Sequence, residues 1–480
     1  MKLLKFALDT AKSLGADYAD IRVHHNLNEM IYLRNMSLKN TSQRDTYGYG
    51  IRIFLNGAWG FAHSNDLSEQ SLIRTVKRAF TLAEQSGRIK YNGGLKLAPE
   101  RSYVDIYNTP YEIDPFDVPL SDKVDLMMEV NKTMLGFKDI KQAMFMLGIS
   151  KEEKLFASTL GTMLEINTMY IEPTFRATAV TPHDSQSRSY RNGGFAIGWE
   201  YMEERDWLEK AEKVAEEAIM KVKAETLKGE ERRSLILDPM HLALTIHESV
   251  GHPTELDRVL GWEADFAGIS FATPEKLGKY QYGSEVVNFV ADNTLEKGLA
   301  TAGYDDDGVP NQRWYIVKDG ILQEYGSTRD TISQLGNGLS RGCNRATNYF
   351  DFPINRIPNL YLEPGQEELS PNDLIEDTED GIYIEGQGSF SIDQHRVNFQ
   401  FGGDMFWEIK DGKRVRPLKK IIYKSNNPEF WNSVDAICDR RFFGLFGVTN
   451  CGKGQPGQVG RMTHGAATTR FRNIRVGGSQ

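Results

Sequence analysis

The chain has 480 residues, 40% hydrophobic and 26% charged, an ordinary balance for a folded protein long enough for two domains with sizeable cores. A formal net charge of −9 without a basic stripe gives no electrostatic reason to bind nucleic acid. Three cysteines (Cys343, Cys438, Cys451) make no disulfide framework, and no stretch approaches the ~18 apolar residues of a membrane span, so the reading is a cytoplasmic protein with no membrane partner.

In chain order, the opening MKLLKFALDTAKSLGADYAD has short apolar pieces broken by Lys5, Asp9 and Lys12, which predicts an amphipathic helix and not a leader peptide. Strand-like segments follow at 18–25 and 30–33. Asn56-Gly57 then separates two β-rich runs, a strong hairpin signal. Leu72, Val76, Ala79, Phe80 and Leu82 at helical spacing predict a helix over 67–86, packed on that hairpin. A further helix is expected over 121–137 and a run of strands over 142–182. Together these make an N-terminal domain, residues 1–200, of α/β type with helices on a mixed sheet. Residues 203–224 spell an amphipathic helix with Glu209 four residues before Lys213, the core of a connecting segment at 201–230.

The C-terminal domain, 231–480, begins with the strand SLILD. Asp238 suits a helix N-cap and Pro239 the first helical position. The apolar residues Met240, Leu242, Ala243, Leu244 and Ile246 carry that helix straight into His247. From 286 to 425 the chain reads as strand-rich, with hairpin turns at Asp319-Gly320 and Asp411-Gly412 and clean alternation in Val397-Asn398-Phe399-Gln400-Phe401. A large antiparallel, partly barrel-like sheet is expected, and the fold class is α+β. No repeat of 20 to 50 residues is visible.

The chemistry centres on His247-Glu248-Ser249-Val250-Gly251-His252. Two imidazoles can ligate zinc, and an adjacent carboxylate can take a proton from water. Metalloprotease helices normally place their histidines at i and i+4. Here the spacing is i and i+5, about 140° apart on a regular helix. The helix must therefore change pitch or end between them; a one-turn π-bulge would align them. Gly251, with its wide dihedral range, and Pro253, which disfavours the α region at His252, predict a distorted exit.

A catalytic zinc site needs a third protein ligand and an open position. Cys451, opening the glycine-rich CGKGQPGQVG, is the leading candidate, and Cys343 in LSRGCNRA competes with it. Cys438 is expected buried in a helix within WNSVDAICDRRF. His395 could face the polar side of the sheet near the site. His241 should point elsewhere, and His24, His25, His63, His183 and His464 read as surface or satisfied loop residues. The segment from Gly447 to Lys453 fits the first seven positions of a phosphate-binding loop but lacks the following Ser or Thr, so nucleotide binding is rejected. Asp305-Asp306-Asp307-Gly308 lacks the later glutamate of a calcium loop and reads as a solvated turn.

These stretches resemble the TldD branch of the TldD/PmbA family. The carrying residues are GADYADIRV, GYGIRIFLNGAWGFA, HESVGHPTELDRVLGWEADFAG, GYDDDGVP, RGCNRA and CGKGQP, in order along nearly the whole chain. The PmbA (TldE) branch lacks the HExxxH motif. The resemblance implies a metallopeptidase with Zn²⁺ on His247, His252 and Cys451 and Glu248 as base. It implies hydrolysis of peptide bonds in small peptides or unfolded polypeptides with low sequence specificity, by Glu-assisted attack of zinc-bound water. The expected partner is a PmbA/TldE-like paralogue in a heterodimer, or a second copy in a homodimer. The alternative is a non-catalytic polypeptide-binding modulator subunit of such a complex.

Overall fold

The computed structural model describes residues 2–89, 94–203, 205–336 and 338–478. Its first sheet has seven strands in the order Ala58–Ser64, Ser37–Leu55, Tyr18–Arg34, Ile140–Ser158, Met163–Val180, Val104–Asn108, with Ser185–Arg191 also paired to Met163–Val180. The pairing of Val104–Asn108 is parallel and the rest antiparallel, the mixed sheet expected. At the Asn56-Gly57 turn both residues have positive φ, 51° and 78°, as a tight two-residue hairpin requires.

Two cores form on this sheet. Helices Lys2–Ser13 and Glu69–Arg88 bury Leu4, Leu72, Val76 and Ala79 against Ile21, Ile51 and Ile53. Helices Leu120–Leu135 and Trp207–Lys223 bury Met127, Val130, Ala211 and Val214 against Phe145, Ile171 and Phe175. The segments at 18–25 and 30–33 are one strand, because both neighbours pair with it continuously through the polar stretch from Asn26 to Glu29. Backbone ladders on two sides outweigh the missing alternation there. The stretch 142–182 likewise resolves into two long strands.

The second layer is a closed five-stranded barrel. Asp380–Ile392, Glu230–Leu237, Thr469–Gly478, Ile421–Asn426 and Asn398–Lys410 follow in hydrogen-bonding order, and the last pairs back onto the first. One pair, Glu230–Leu237 with Asp380–Ile392, is parallel. Phe399 and Phe401 point into the core while Asn398 and Gln400 are exposed, as their alternation predicts. Phe430 stacks on Phe471 with ring centroids 4.2 Å apart.

A six-stranded sheet completes the molecule: Ile321–Leu322, Arg313–Lys318, Phe289–Asp292, Leu360–Leu362, Gln458–Ala467, Phe443–Lys453. Helix Pro239–Ile246, capped by Asp238 accepting from the His241 N–H at 2.7 Å, packs against the barrel strand Asp380–Ile392 and the hairpin Phe443–Lys453/Gln458–Ala467. That wedge delivers His247 to the junction of barrel and sheet.

Two local expectations fail. The helix before Cys438 ends at Asn432, and Val434–Ile437 is a strand paired with residues 469–471; alternation and a waiting edge win over helical spacing. Asp305, Asp306 and Asp307 are buried, not solvated. Asp306 meets Arg22 at 3.3 Å and Lys154 at 2.9 Å, and Asp307 meets Arg52 at 2.8 Å. The acidic turn plugs into cations on the first sheet.

Candidate metal centre

The helix widens where the spacing requires it. Residues His247–Gly251 form a π turn, closed by the His252 N–H reaching back five residues to the His247 carbonyl. The two imidazoles thereby face each other, centroids 4.8 Å apart. The causes differ from those read in the sequence. His252 stays helical (φ −62°, ψ −42°), and Pro253 sits in a one-turn 3₁₀ helix, His252–Thr254, where its missing N–H costs nothing. Gly251 is helical too; it is small because a Cβ there would lie 3.0 Å from Ile357. The widened turn's polar groups are met from outside. Tyr282 Oη and Asn427 Nδ2 donate to the Ser249 carbonyl, each at 2.5 Å, and Trp431 Nε1 donates to Ser249 Oγ at 3.0 Å.

Cys451 joins from the strand Phe443–Lys453, so it lies in a ladder and not at the opening of a loop. The register slips between Val448 and Cys451, an irregularity of the kind that re-aims side chains. One donor atom each from His247, His252 and Cys451 lie within 4.8 Å of one another, all three residues buried. Cys451 Sγ is 3.7 Å from His252 Nε2. Tetrahedral zinc with bonds of about 2.0–2.3 Å separates its ligand atoms by roughly 3.3–3.8 Å; the Cys451–His252 pair already lies in that range, and the 4.8 Å bound on the set leaves at most about 1 Å of contraction for the rest.

Hydrogen bonds fix which nitrogens are free. His464 Nδ1 faces the Leu360 carbonyl at 3.2 Å and must donate to it. Neutral His464 therefore accepts at Nε2 from His247 Nδ1–H, 2.8 Å away. That leaves the His247 Nε2 lone pair for a metal. His252 Nδ1–H donates to Glu255 at 2.7 Å, freeing Nε2 in the same way. Burial pushes His247 and, more strongly, His464 below the usual imidazole range, and the two rings' proximity depresses His464 further. Both are then neutral, as ligation demands. At Cys451 burial works to raise the thiol, but His252 and the Arg356 guanidinium outweigh it and hold it below its ordinary value.

Glu248 is buried beside this cluster, with Arg396 Nη1 at 2.5 Å. Burial opposes its charge, yet His252, His247 and Arg396 together keep the carboxyl below the ordinary range. Arg396 sits at positive φ in the turn between barrel strands Asp380–Ile392 and Asn398–Lys410, so the barrel reaches over the site. Glu255 in turn accepts from Lys453 Nζ at 3.0 Å, a lysine that also contacts Asp257 at 2.7 Å.

Cys343 does not join the cluster. It is buried, with burial pushing its thiol up to about 12, and its Sγ lies 3.8 Å from the Arg341 carbonyl. Cys438 is likewise buried and pushed up to about 12. His395 is exposed. His241 bonds Tyr423 Oη and the Gly386 carbonyl, both at 2.9 Å. His464, read as a surface or loop residue, is fully buried and backs His247; His24 is buried as well. Arg396, Glu255 and Lys453 were also missed.

The C-terminal domain model of the PmbA/TldA metallopeptidases matches residues 230–478, more than half of the chain. The chain belongs to the PmbA/TldA metallopeptidase family. The models for this family's domain 1 and central domain match 19–83 and 113–224. A protein named metalloprotease from Methanocaldococcus jannaschii is 29% identical, covering 92% of this chain and 94% of its own length. One named zinc metalloprotease TldD homolog, from Saccharolobus solfataricus, is 22% identical with 98% of each chain covered. Among solved structures, TldE from Thermococcus kodakarensis superposes with a TM-score of 0.73 at 14% identity over 99% of each chain. A Thermotoga maritima protein described as a candidate modulator of a DNA gyrase superposes with a TM-score of 0.79 at 15% identity, also over 99% of each. These two likenesses show a shared fold. No helix among the described residues is long and apolar enough to cross a membrane.

Proposed function

We propose that this family member is a zinc-dependent peptidase that hydrolyses peptide bonds in small peptides or unfolded polypeptides with little regard for side chains. The observation that carries the reading is the convergence of two imidazoles with Nε2 free and one acidified thiol on one point, beside an ionised glutamate. His247, His252 and Cys451 hold Zn²⁺. Three protein ligands leave one tetrahedral position, at which the ion would supply Lewis acidity to a carbonyl and to water.

The chain's own residues do the rest. Glu248 accepts the proton of the attacking water and hands it to the departing amine. Arg396 orients the Glu248 carboxylate through its hydrogen bond. His464 and Glu255 hold the two rings in the tautomers that ligation needs. All of these residues lie in the part from 231 to 480, so that part is the metallopeptidase domain, with 1–200 and the connecting 201–230 covering it. A paralogous TldE-like chain or a second copy is the partner, and the cytoplasm the place.

The test is zinc analysis and peptide cleavage on purified protein, alone and with a TldE-like chain, with a chelator control. Glu248→Ala should keep one zinc and lose cleavage; Cys451→Ser should lose zinc. Turnover retained by the first variant, or an unchanged metal ratio in the second, refutes the assignment. A wild-type protein without zinc or cleavage in any combination would favour the modulator reading instead.

A further inference from the structure

Beside the metal centre lies a small cavity of about 70 Å³, walled by Arg345, Arg356 and Arg461 with Lys154, Glu152 and Tyr170. It is one strand pairing from the thiol: Cys451 stands opposite Gly460, and Gly460 and Arg461 line the cavity. Arg356 Nη2 donates to the Cys451 carbonyl. Gly460 is small for a reason, since a Cβ there would fall 2.5 Å from Arg356 Nη2, inside the guanidinium's space.

The charges in this cavity do not balance. Lys154 is neutralised by Glu152 at 3.2 Å and Asp306 at 2.9 Å. The three arginines have no such partners. Among the described residues, none of them has a carboxylate within 4.0 Å. Arg345 donates to the carbonyls of Arg461 at 2.6 Å and Ile357 at 2.5 Å, and Arg461 donates to Ser150 Oγ at 3.0 Å. Arg356, only 2% exposed, keeps Nε buried without any hydrogen-bond partner. Burial and the neighbouring Arg356 charge both pull Arg345 below the usual guanidinium range. Clustered like charges in a partly buried site are costly, and leaving the buried Arg356 N–H unmade adds to that cost. A planar anion would relieve both.

The cavity also has an approach. It shares Glu152, Tyr170, Leu299, Thr347 and Arg461 with a groove of about 390 Å³ between the first sheet and the C-terminal part. The groove leads to the cavity, whose volume of about 70 Å³ is on the scale of a carboxylate and the carbon that bears it. Guanidinium forks match carboxylates in geometry and charge.

We propose that Arg345, Arg356 and Arg461 bind the C-terminal carboxylate of a peptide lying in this groove, so that a free C-terminus next to the metal centre is part of what the protein recognises. The peptide nature of the ligand rests on the function proposed above; the anion site rests on the cavity itself. A carboxylate on an Asp or Glu side chain has the same chemistry, and the test separates the two sources.

Binding is measured by calorimetric titration of the full-length Glu248→Gln protein, which should not turn substrate over, with three tetrapeptides: a free acid, its C-terminal amide, and an amide carrying one internal Glu. Each is run with zinc and after chelator dialysis. We expect the acid to bind at least about tenfold tighter than either amide, as befits a charge-assisted bidentate contact, with and without metal. Arg345→Gln should bring the ratio towards one and Arg345→Lys restore part of it. Equal binding of acid and amide, or no binding of any peptide, overturns the proposal, and neither comparison needs a variant of the arginines. An acid preference that vanishes with the metal means the carboxylate sits on zinc. Tight binding of the Glu-bearing amide means side chains, not termini, are read. Cleavage is not the readout, so failure here leaves the peptidase test above intact, and failure there leaves the anion site, read by acid against amide, still testable.

Discussion

Replacing His464 with alanine isolates what second-layer support is worth in this centre. The ring is fully buried and meets the site through its 2.8 Å hydrogen bond to His247, with a second bond of 3.2 Å to the Leu360 carbonyl. Without it, His247 can place its proton on either nitrogen and can rotate. Loss of such an outer partner typically costs 10–100-fold in metal affinity, about 1.4–2.7 kcal/mol. The same amount should vanish from the extra stability that saturating zinc confers, because a ligand bound only to the folded state stabilises in proportion to the logarithm of its affinity. The assay is zinc competition against a chromophoric chelator, paired with urea unfolding in the presence and absence of zinc. His464→Gln, whose amide oxygen can still accept from His247 Nδ1–H, should lie between wild type and alanine. A folded alanine variant that binds zinc within about twofold of wild type would refute the tautomer argument, since the bond would then carry less than ~0.5 kcal/mol.

Three further outcomes follow from the fold. Asp306→Asn strands the buried Arg22 without its counter-charge and leaves Lys154 with Glu152 alone, and should lower the urea-unfolding free energy by about 3–5 kcal/mol; a change below ~1 kcal/mol would mean the network is dispensable. Asp238 has its carboxyl raised to about 7 by burial and by the nearby Glu385 charge, against ~4 in an unfolded chain. The folded state binds that proton more tightly, so the stabilisation is whole below about pH 4 and is lost as pH rises to about 7. Asp238→Asn, which keeps the N-cap, should therefore flatten the fall in stability between those limits by roughly 2 kcal/mol, allowing for a carboxyl that is not wholly sealed from water; an unchanged slope in a pH series of urea melts counts against it. Gly251→Ala pushes a methyl to 3.0 Å from Ile357 and should cost about 1–3 kcal/mol by thermal or urea melt while loosening the π turn. A neutral result would show that the turn has slack.

What could be read from the sequence was whatever a short window encodes. The hairpins at Asn56-Gly57, Asp319-Gly320 and Asp411-Gly412 were legible because two adjacent positive-φ residues are a local demand, and all six show it. The π turn was legible for a different reason: a separation of five positions between two histidines leaves a regular helix no way to align them. The cause assigned to it was wrong, because Gly251 answers to Ile357, a residue 106 positions away that no local pattern reveals. Asp305 to Asp307 failed in the same way. Three consecutive acids look solvated until Arg22, 284 residues off, is brought to them by the first sheet. Arg396 and His464 had no signal at all; their roles exist only once strand register is set.

That register explains why one hairpin carries so much of the site. The strand Phe443–Lys453 supplies Cys451 and, two residues on, Lys453, whose ammonium holds Glu255 against His252. Residues separated by two point to the same face of a strand, so the third donor and the support for the second come as one unit. The partner strand Gln458–Ala467 supplies Gly460 opposite the cysteine, Arg461 on the cavity, and His464 behind His247. A one-residue slip of this pair would put the thiol and the lysine on the opposite face from the backing imidazole. The bulge between Val448 and Cys451 is thus the feature on which the metal centre and the arginine cavity both depend, and the two sites stand or fall with the same backbone hydrogen bonds.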